Sequence, residues 1–448
     1  MLNFAVLNYI HEMKYNTYIL STLLFLMTFV VNGQQLLPIT KLEVLSRVSE
    51  YNISIKISEE EFNQAKADYS QTNAVFLPNI SASHTAIATT NPLMAFGSKL
   101  NQEILTQNDF NPAMLNNPSQ IENYATKFEI QQPLINLDGI YQRKAAKSKM
   151  EAMSLKTERT EDYLVFEVDK AYMQLQLAYK AVDVLEKAFE AANANKKLAD
   201  NSYKQGYLQR ADVLNVEVRV TEVQNQLQTA KSNVQNASNY LSFLMNDQNY
   251  VMYRPADELS IEAFVMENKA VSENRSDIKA MQLASNAYEA MNKADKMAFL
   301  PRLNAFGSYE LYDDQVFQGD ANGYLFGAQL SWDIFQGSKR FGKAQKSKSA
   351  FEQSKLEYTQ YVSQSNLELN KAKRAFTDAE NKLRLNTLAL QQSEESLRIR
   401  TNRFKEGLEK TSDLLTADAQ FAQKQLEYYQ TIFEYNYTQA YLKFLTKE

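Results

Sequence analysis

Tyr203-Lys204-Gln205-Gly206-Tyr207-Leu208-Gln209-Arg210-Ala211-Asp212-Val213-Leu214 returns 201 residues later as Phe404-Lys405-Glu406-Gly407-Leu408-Glu409-Lys410-Thr411-Ser412-Asp413-Leu414-Leu415. Each copy reads as a helix stop, a turn and a helix start. Glycine tolerates the left-handed conformation that ends a helix, and an aspartate six residues on can accept from the open N–H groups of the next one, as an N-cap or first-turn acid. Each copy is therefore the tip of a helical hairpin. The same offset holds downstream, where Tyr240-Leu241-Ser242-Phe243-Leu244 is matched by Tyr441-Leu442-Lys443-Phe444-Leu445. The chain is thus an internal duplication whose period is too long for a solenoid unit.

Outward from the tips, the pattern is helical. Residues 139–204 contain no proline, and a helix of that length would reach roughly 100 Å. Within it Leu164, Val168, Ala171, Leu175, Ala178, Val182, Leu185, Phe189 and Ala192 follow a 4-3-4-3 spacing, a coiled-coil seam. A second long helix is expected from about Gly337 to Lys405, with Leu369, Ala372, Phe376, Ala379 and Leu383 in the same register. Half-length helices are expected over 39–76, 212–245, 276–299 and 413–445. Two of these end to end match one long helix, so each chain can build four helical columns.

The period changes twice. Residues 79–90 and 124–132, and again 302–312 and 324–334, alternate as strands of roughly 9–11 residues, the length that crosses an outer membrane when tilted. Tyr124, Thr126, Phe128 and Ile130 share one face, as do Leu303, Ala305, Tyr309 and Leu311, and Phe326, Ala328, Leu330, Trp332 and Ile334. Lys127, Glu129, Gln131, Gln329, Ser331 and Asp333 take the other. Between the first two strands, residues 91–120 hold Asn-Pro three times, which reads as a loop. Between the last two the loop is about ten residues. Four strands leave two open edges, which lipid does not tolerate, so the chain must oligomerise to close a barrel.

Composition agrees with a helix-rich chain: 11 Gly and 8 Pro in 448 residues. With 48 basic against 53 acidic side chains no basic face dominates, so no nucleic-acid partner is expected. Lys14, the apolar run Ile19–Val31 and the small residues before Gln34 form a secretory signal over 1–33, with Met13 as an alternative start. Cysteine is absent, which removes disulfides and a lipid-modified N-terminal cysteine. Catalysis, cofactors and a metal centre are not expected: the two histidines are His11, in or before the signal, and His84, in a strand, where it reads as a lumen-lining or interface side chain. The duplication then divides into 34–250 (helix, hairpin 78–133, long helix, tip 203–214, helix) and 251–448 (helix, hairpin 301–335, long helix, tip 404–415, helix), forming one intertwined unit.

The paired Phe-Leu-Pro strand entries at 76–78 and 299–301, Trp332-Asp333-Ile334-Phe335-Gln336-Gly337, Asn274-Arg275-Ser276-Asp277-Ile278-Lys279-Ala280 and the two Gly-x5-Asp tips resemble the TolC-like outer-membrane efflux proteins, over essentially the whole mature chain. The resemblance implies a mainly α fold with a β-barrel portion. A homotrimer would close a twelve-strand barrel in the outer membrane above a long periplasmic α-helical barrel, as a channel-tunnel of a tripartite efflux or type I secretion system. It implies docking of a periplasmic adaptor, and through it an inner-membrane pump, by Gly206, Tyr207, Leu208, Gly407 and Leu408. Tyr124, Tyr309 and Trp332 would form an aromatic belt against lipid. Asp212, Asp413, Arg210, Phe404, Glu409 and Lys410 would form the periplasmic gate. The family holds that gate partly with a tyrosine three residues before the second tip glycine and an arginine two after it. Here those positions are Phe404 and Glu409, so Arg210 beside Asp212 and Lys410 beside Glu409 are the expected substitute ion pairs. The competing reading from the helices alone is a soluble periplasmic coiled-coil scaffold.

Overall fold

The computed structural model describes residues 36–249, 251–264 and 270–447; the expected signal segment lies outside them. The described elements run β1 (Leu36–Ile39), α1 (Lys41–Tyr51), α2 (Ile53–Gln71), β2 (Asn79–Thr89), α3 (Pro92–Asn101), α4 (Pro112–Asn116), β3 (Ile121–Ile135), α5 (Leu137–Lys204), α6 (Arg210–Leu244), β4 (Met252–Pro255), α7 (Ser276–Met297), β5 (Arg302–Asp313), β6 (Ala321–Ser331), α8 (Lys339–Lys405) and α9 (Thr411–Thr446). Both long helices are present, 68 residues in α5 and 67 in α8. No described helix is long and apolar enough to cross a membrane.

The chain forms two compact units. One comprises the described part of Met1–Asn52 with Val165–Phe264 and Phe376–Ala440, and so contains both tips; the other comprises Ile53–Leu164, the described part of Val265–Ala375, and Tyr441–Glu448, and so contains the strands of the larger sheet. In the first unit the seam of α5 is covered along its length: Val168, Ala171, Leu175, Leu185 and Ala192 are buried, and Ala178, Val182 and Phe189 half-buried. Met173 packs with Leu259 and Ile432 from outside α5, and Ala188 with Val223 and Ala422. A small parallel pair, β1 with β4, adds a feature absent from the sequence reading. Tyr172 ties that pair to α5 by donating to the Ile39 carbonyl at 3.0 Å and to Asp257.

In the second unit the larger sheet has four strands, in the order β2-β3-β5-β6, with antiparallel neighbours. Its register places Phe128 opposite Tyr309 and Tyr309 opposite Tyr324, and on the other face Lys127 opposite Glu310. The alternation expected from sequence is thus continuous across the sheet. Phe326 and Tyr324 are 78 % and 76 % exposed on the apolar face. On the polar face Lys127 lies 3.3 Å from Glu129 and 3.5 Å from Glu310.

Four expectations are corrected. The helix expected over 39–76 breaks at Asn52, whose backbone turns extended while its Nδ2 donates to the Leu244 carbonyl at 2.7 Å, at the end of α6. The last strand stops at Ser331, so Trp332 and Ile334 lie beyond it, and Trp332 donates its indole N–H to the Phe299 carbonyl at 3.0 Å. The tip helices begin at Arg210 and Thr411, not at Asp212 and Asp413, so each aspartate is the third residue of its helix and takes the first-turn role of the two expected for it.

Residues 91–120, finally, are not an open loop. Asn91 and Asn111 are N-caps, accepting from the N–H groups of Met94 at 3.2 Å and Ala113 at 2.9 Å, and the prolines after them take the first helical position, where the missing N–H costs nothing. Phe96 meets Phe110 edge-on at 5.7 Å, and Lys99 pairs with Asp109 at 2.7 Å. Insertion tolerance is correspondingly local. An epitope tag between Asn116 and Asn117, past the end of α4, is expected to leave export intact and to label whole cells, whereas one between Phe96 and Gly97 should lower the amount of folded protein. If whole cells carrying the first insertion stay unlabelled while lysed cells react, the segment does not face outward.

Candidate functional site: the two hairpin tips

Both tips end their first helix in the same way. Gly206 and Gly407 have φ of +82° and +72°, the left-handed region where a side chain is strained. Tyr207 N–H donates to the Ser202 carbonyl and Leu408 N–H to the Arg403 carbonyl, each at 2.9 Å, while the two glycine N–H groups bond to Tyr203 and Phe404 at 2.9 and 3.0 Å. These are paired Schellman closures. The backbone, held by its own hydrogen bonds, then presents Tyr207 at 79 % and Leu408 at 67 % exposure. Leu208 and Phe404 are half-buried.

The acids are placed differently from one another. Asp212 accepts from the Gln209 N–H at 3.1 Å as half of a capping box, which suits its charge to the helix N-terminus. Asp413 accepts from the Ser412 hydroxyl at 3.4 Å. The substitute ion pairs expected at the tips are corrected. Arg210 reaches Glu217 at 3.8 Å. Glu409 is held by Arg400 Nη1 and Arg403 Nε, both at 2.8 Å, and Arg403 also donates to the Leu408 carbonyl at 3.2 Å. Helix geometry explains the choice: residues three and four apart share a face, so arginines on the last two turns of α8 meet a side chain returning over them. An open groove of about 690 Å³ beside this cluster is lined by Leu388, Ile399, Arg400, Arg403 and Glu409.

Behind the tips, Arg219 of α6 directs Nε and Nη2 to Asp418 of α9, both at 3.3 Å, and both residues are buried. Burial pushes the Asp418 carboxyl above its ordinary value, against the pull of Arg219. Sequence reading missed this pair; its signal was one arginine and one aspartate at positions whose buried neighbours along each helix, Val213, Val216 and Val223 and Leu414, Ala417 and Ala422, are apolar. Among the described residues no group of three or more histidine, aspartate or glutamate side chains is arranged to hold a metal.

The outer membrane efflux protein family matches residues 44–247 and 269–445. The chain belongs to that family. No curated protein matches it in sequence. Among solved structures this efflux protein is similar to CusC, whose structures concern folding and transmembrane channel formation, with a TM-score of 0.79 at 14 % identity over 94 % of this chain and 93 % of that one. It is similar to the outer membrane protein VceC of Vibrio cholerae, with a TM-score of 0.77 at 15 % identity over 91 % and 95 %. The CmeC outer membrane channel of Campylobacter jejuni gives 0.77 at 16 % over 91 % and 85 %. These likenesses show the fold, a long helical portion joined to a β-barrel portion.

Of the residues expected to form a belt, Tyr309 is on the apolar face of β5 and partly exposed, and Tyr124 is on the same face of β3 with its hydroxyl 3.4 Å from Glu122. Trp332 is exposed just past β6. His84 pairs across the sheet with Thr126, on the apolar face, so the register takes it away from the charged face of Lys127 and Glu310. Its Nδ1 lies 2.9 Å from Thr126 Oγ1 and its ring stacks on Phe317 at 4.3 Å.

Proposed function

We propose that this efflux protein is the passive exit duct of a tripartite efflux or type I secretion system. Three copies close a twelve-strand barrel, and the tips dock a periplasmic adaptor that connects to an inner-membrane pump. The observation that carries this reading is the sheet: β2 and β6 are open edges of a four-stranded sheet whose apolar face exposes Phe326, Tyr324 and Leu330. Unsatisfied edge groups in lipid cost several kcal/mol each, and closed membrane barrels begin at about eight strands, so copies must add edge to edge. A soluble periplasmic scaffold would have no reason to expose such a face. Residues 1–33 serve as the cleaved export signal in this reading, and no lipid anchor is needed. Mass measurement of the detergent-extracted protein is expected to give a trimer that stays with outer membranes after alkaline washing. A monomer with full helix content, released by the wash, would overturn the reading.

The tips then form the entrance, where three copies each of Asp212 and Asp413 favour cations. Glu409 with Arg400 and Arg403 takes the place of the family's tyrosine and arginine in holding the second tip. Exposed pairs are each worth under about 1 kcal/mol. Planar-bilayer recording is therefore expected to show a several-fold rise in open time for Arg400→Ala with Arg403→Ala, and weaker cation preference for Asp413→Ala. Unchanged gating and selectivity would take these residues out of the entrance.

A further inference from the structure

The segment between β2 and β3 is a folded cap, and its position on the sheet says what it covers. Helix α3 follows the edge strand β2 directly and reaches both β3 and the start of the opposite edge strand β6. Gln102, at its end, directs Nε2 to the carbonyls of Glu122 at 2.8 Å and Asp313 at 3.0 Å and to Asn123 Oδ1 at 2.8 Å. Ile121, Asn123 and Ala321 are buried at this end of the sheet. All three belong by register to the face that carries Lys127 and Glu310. On the apolar face at the same level, Ala88, Glu122 and Asn322 stay exposed. The cap therefore leans over the polar face, the side that lines the lumen of a membrane barrel.

Helix α3 buries Ala95 and Ser98. Its opposite side presents Leu93 at 82 % and Leu100 at 56 % exposure, with Gly97 between them and nothing within 4 Å of where a Cβ would stand. Lys99, the charge on this helix, is taken by Asp109. An uncharged apolar stripe with a flat glycine in its middle, held on the lumen side, is not placed to meet lipid. Copies brought together around an axis can pack such stripes without charge repulsion.

We propose that in the assembled ring the three caps meet, Leu93, Gly97 and Leu100 of each packing against the other two, and close the outer mouth of the barrel. The inference rests on the trimeric ring proposed above. It makes the channel one with a second closure, at the opposite membrane face from the adaptor.

The chain contains no cysteine, so a single introduced thiol reports without background. Leu93→Cys in outer membranes, oxidised, is expected to give a disulfide-linked dimer on a non-reducing gel, with native mass showing a trimer. Leu93→Asp with Leu100→Asp, both at exposed positions, is expected to raise single-channel conductance about twofold or more by removing the apolar closure. A trimer with neither cross-link nor conductance change overturns the cap closure and leaves the ring standing. A cross-link to a different protein overturns the closure in favour of an external partner. Absence of a trimer overturns the ring and the closure together.

Discussion

Arg275→Ala is expected to cost about 3–5 kcal/mol, the range for removing one partner from a buried ion pair, and to lower the thermal midpoint of the extracted protein by roughly 3–5 °C. Arg275 is 3 % exposed and ties three helices. Its Nε and Nη2 bind the Asp277 carboxylate at 2.6 and 3.0 Å at the start of α7, Nη2 donates to Ser365 of α8 at 2.8 Å, and Nη1 donates to the Leu445 carbonyl at the end of α9 at 3.0 Å. Arg159 of α5 completes the group, 3.5 Å from Asp277, donating to the Phe444 carbonyl at 3.1 Å with its guanidinium 3.7 Å from the Phe444 ring centre. Two cations thus serve carbonyls that helix α9 leaves open at its C-terminus. Without Arg275, a buried carbonyl and half of a carboxylate lose their partners.

The same variant has a pH signature. Burial pushes the Asp277 carboxyl up, but the hydrogen bonds from Arg275 and Tyr361 and the charge of Arg159 outweigh it and hold the group below its ordinary value. A carboxyl whose folded pKa lies below its unfolded value, about 4, stabilises the fold above that pH, and the contribution drains away as pH falls through the folded value. The parent should therefore lose stability on acidification through this range, and Arg275→Ala should lose less. Arg275→Lys, which keeps the charge without the fork, should recover only part of the midpoint. An Arg275→Ala midpoint within a degree or so of the parent would show that the group contributes no net stability.

What the sequence made legible follows from how far apart the deciding residues lie. The tips could be read because a Schellman closure is local: one glycine with positive φ, stated twice at a fixed offset. The seam of α5 and the alternation of β3, β5 and β6 are periodic, and periodicity survives without knowledge of the partner. The cap could not be read in this way. Asn-Pro suits a turn and equally an N-cap with proline at the first helical position, and the choice was made by Gln102 bonding to the carbonyl of Asp313, 211 residues away. The break at Asn52 likewise depends on Leu244, 192 residues on. Strands β1 and β4 have four residues each, too few for a period, and pair in parallel across the chain. At the second tip, the expected Lys410 partner was adjacent to Glu409 in sequence. Adjacent residues do not face each other on a helix or across its closing turn, and the arginines six and nine positions earlier were the ones in reach.

Tyr207→Asp with Leu408→Asp is expected to abolish export while leaving the assembled channel intact. The closures that hold both tips are backbone hydrogen bonds to Ser202, Tyr203, Arg403 and Phe404, so neither substitution touches what sets the tip conformation. What changes is the surface: the two most exposed apolar side chains of the tips become anions, beside Asp212 and Asp413. An apolar anchor at the centre of an interface is worth about 2 kcal/mol or more, and a buried unpaired carboxylate adds its desolvation cost, so the pair should weaken adaptor binding about a thousandfold or more. Purified trimer should then fail to capture the periplasmic adaptor on a biosensor, and cells should become as sensitive to pump substrates as cells lacking the channel. The mass of the trimer should match the parent, and the channel should still conduct in bilayers, with cation preference raised by the added carboxylates. Retained adaptor affinity in the double variant would mean that the tips pack only with one another and that docking uses another surface, for which the groove beside Arg400, Arg403 and Glu409 would be the next site to substitute. The two single variants divide the effect between the hairpins. Because the first tip carries Tyr207 and Leu208 where the second carries Leu408 and Glu409, an adaptor that grips the duplicated tips unequally should lose more affinity with Tyr207→Asp than with Leu408→Asp.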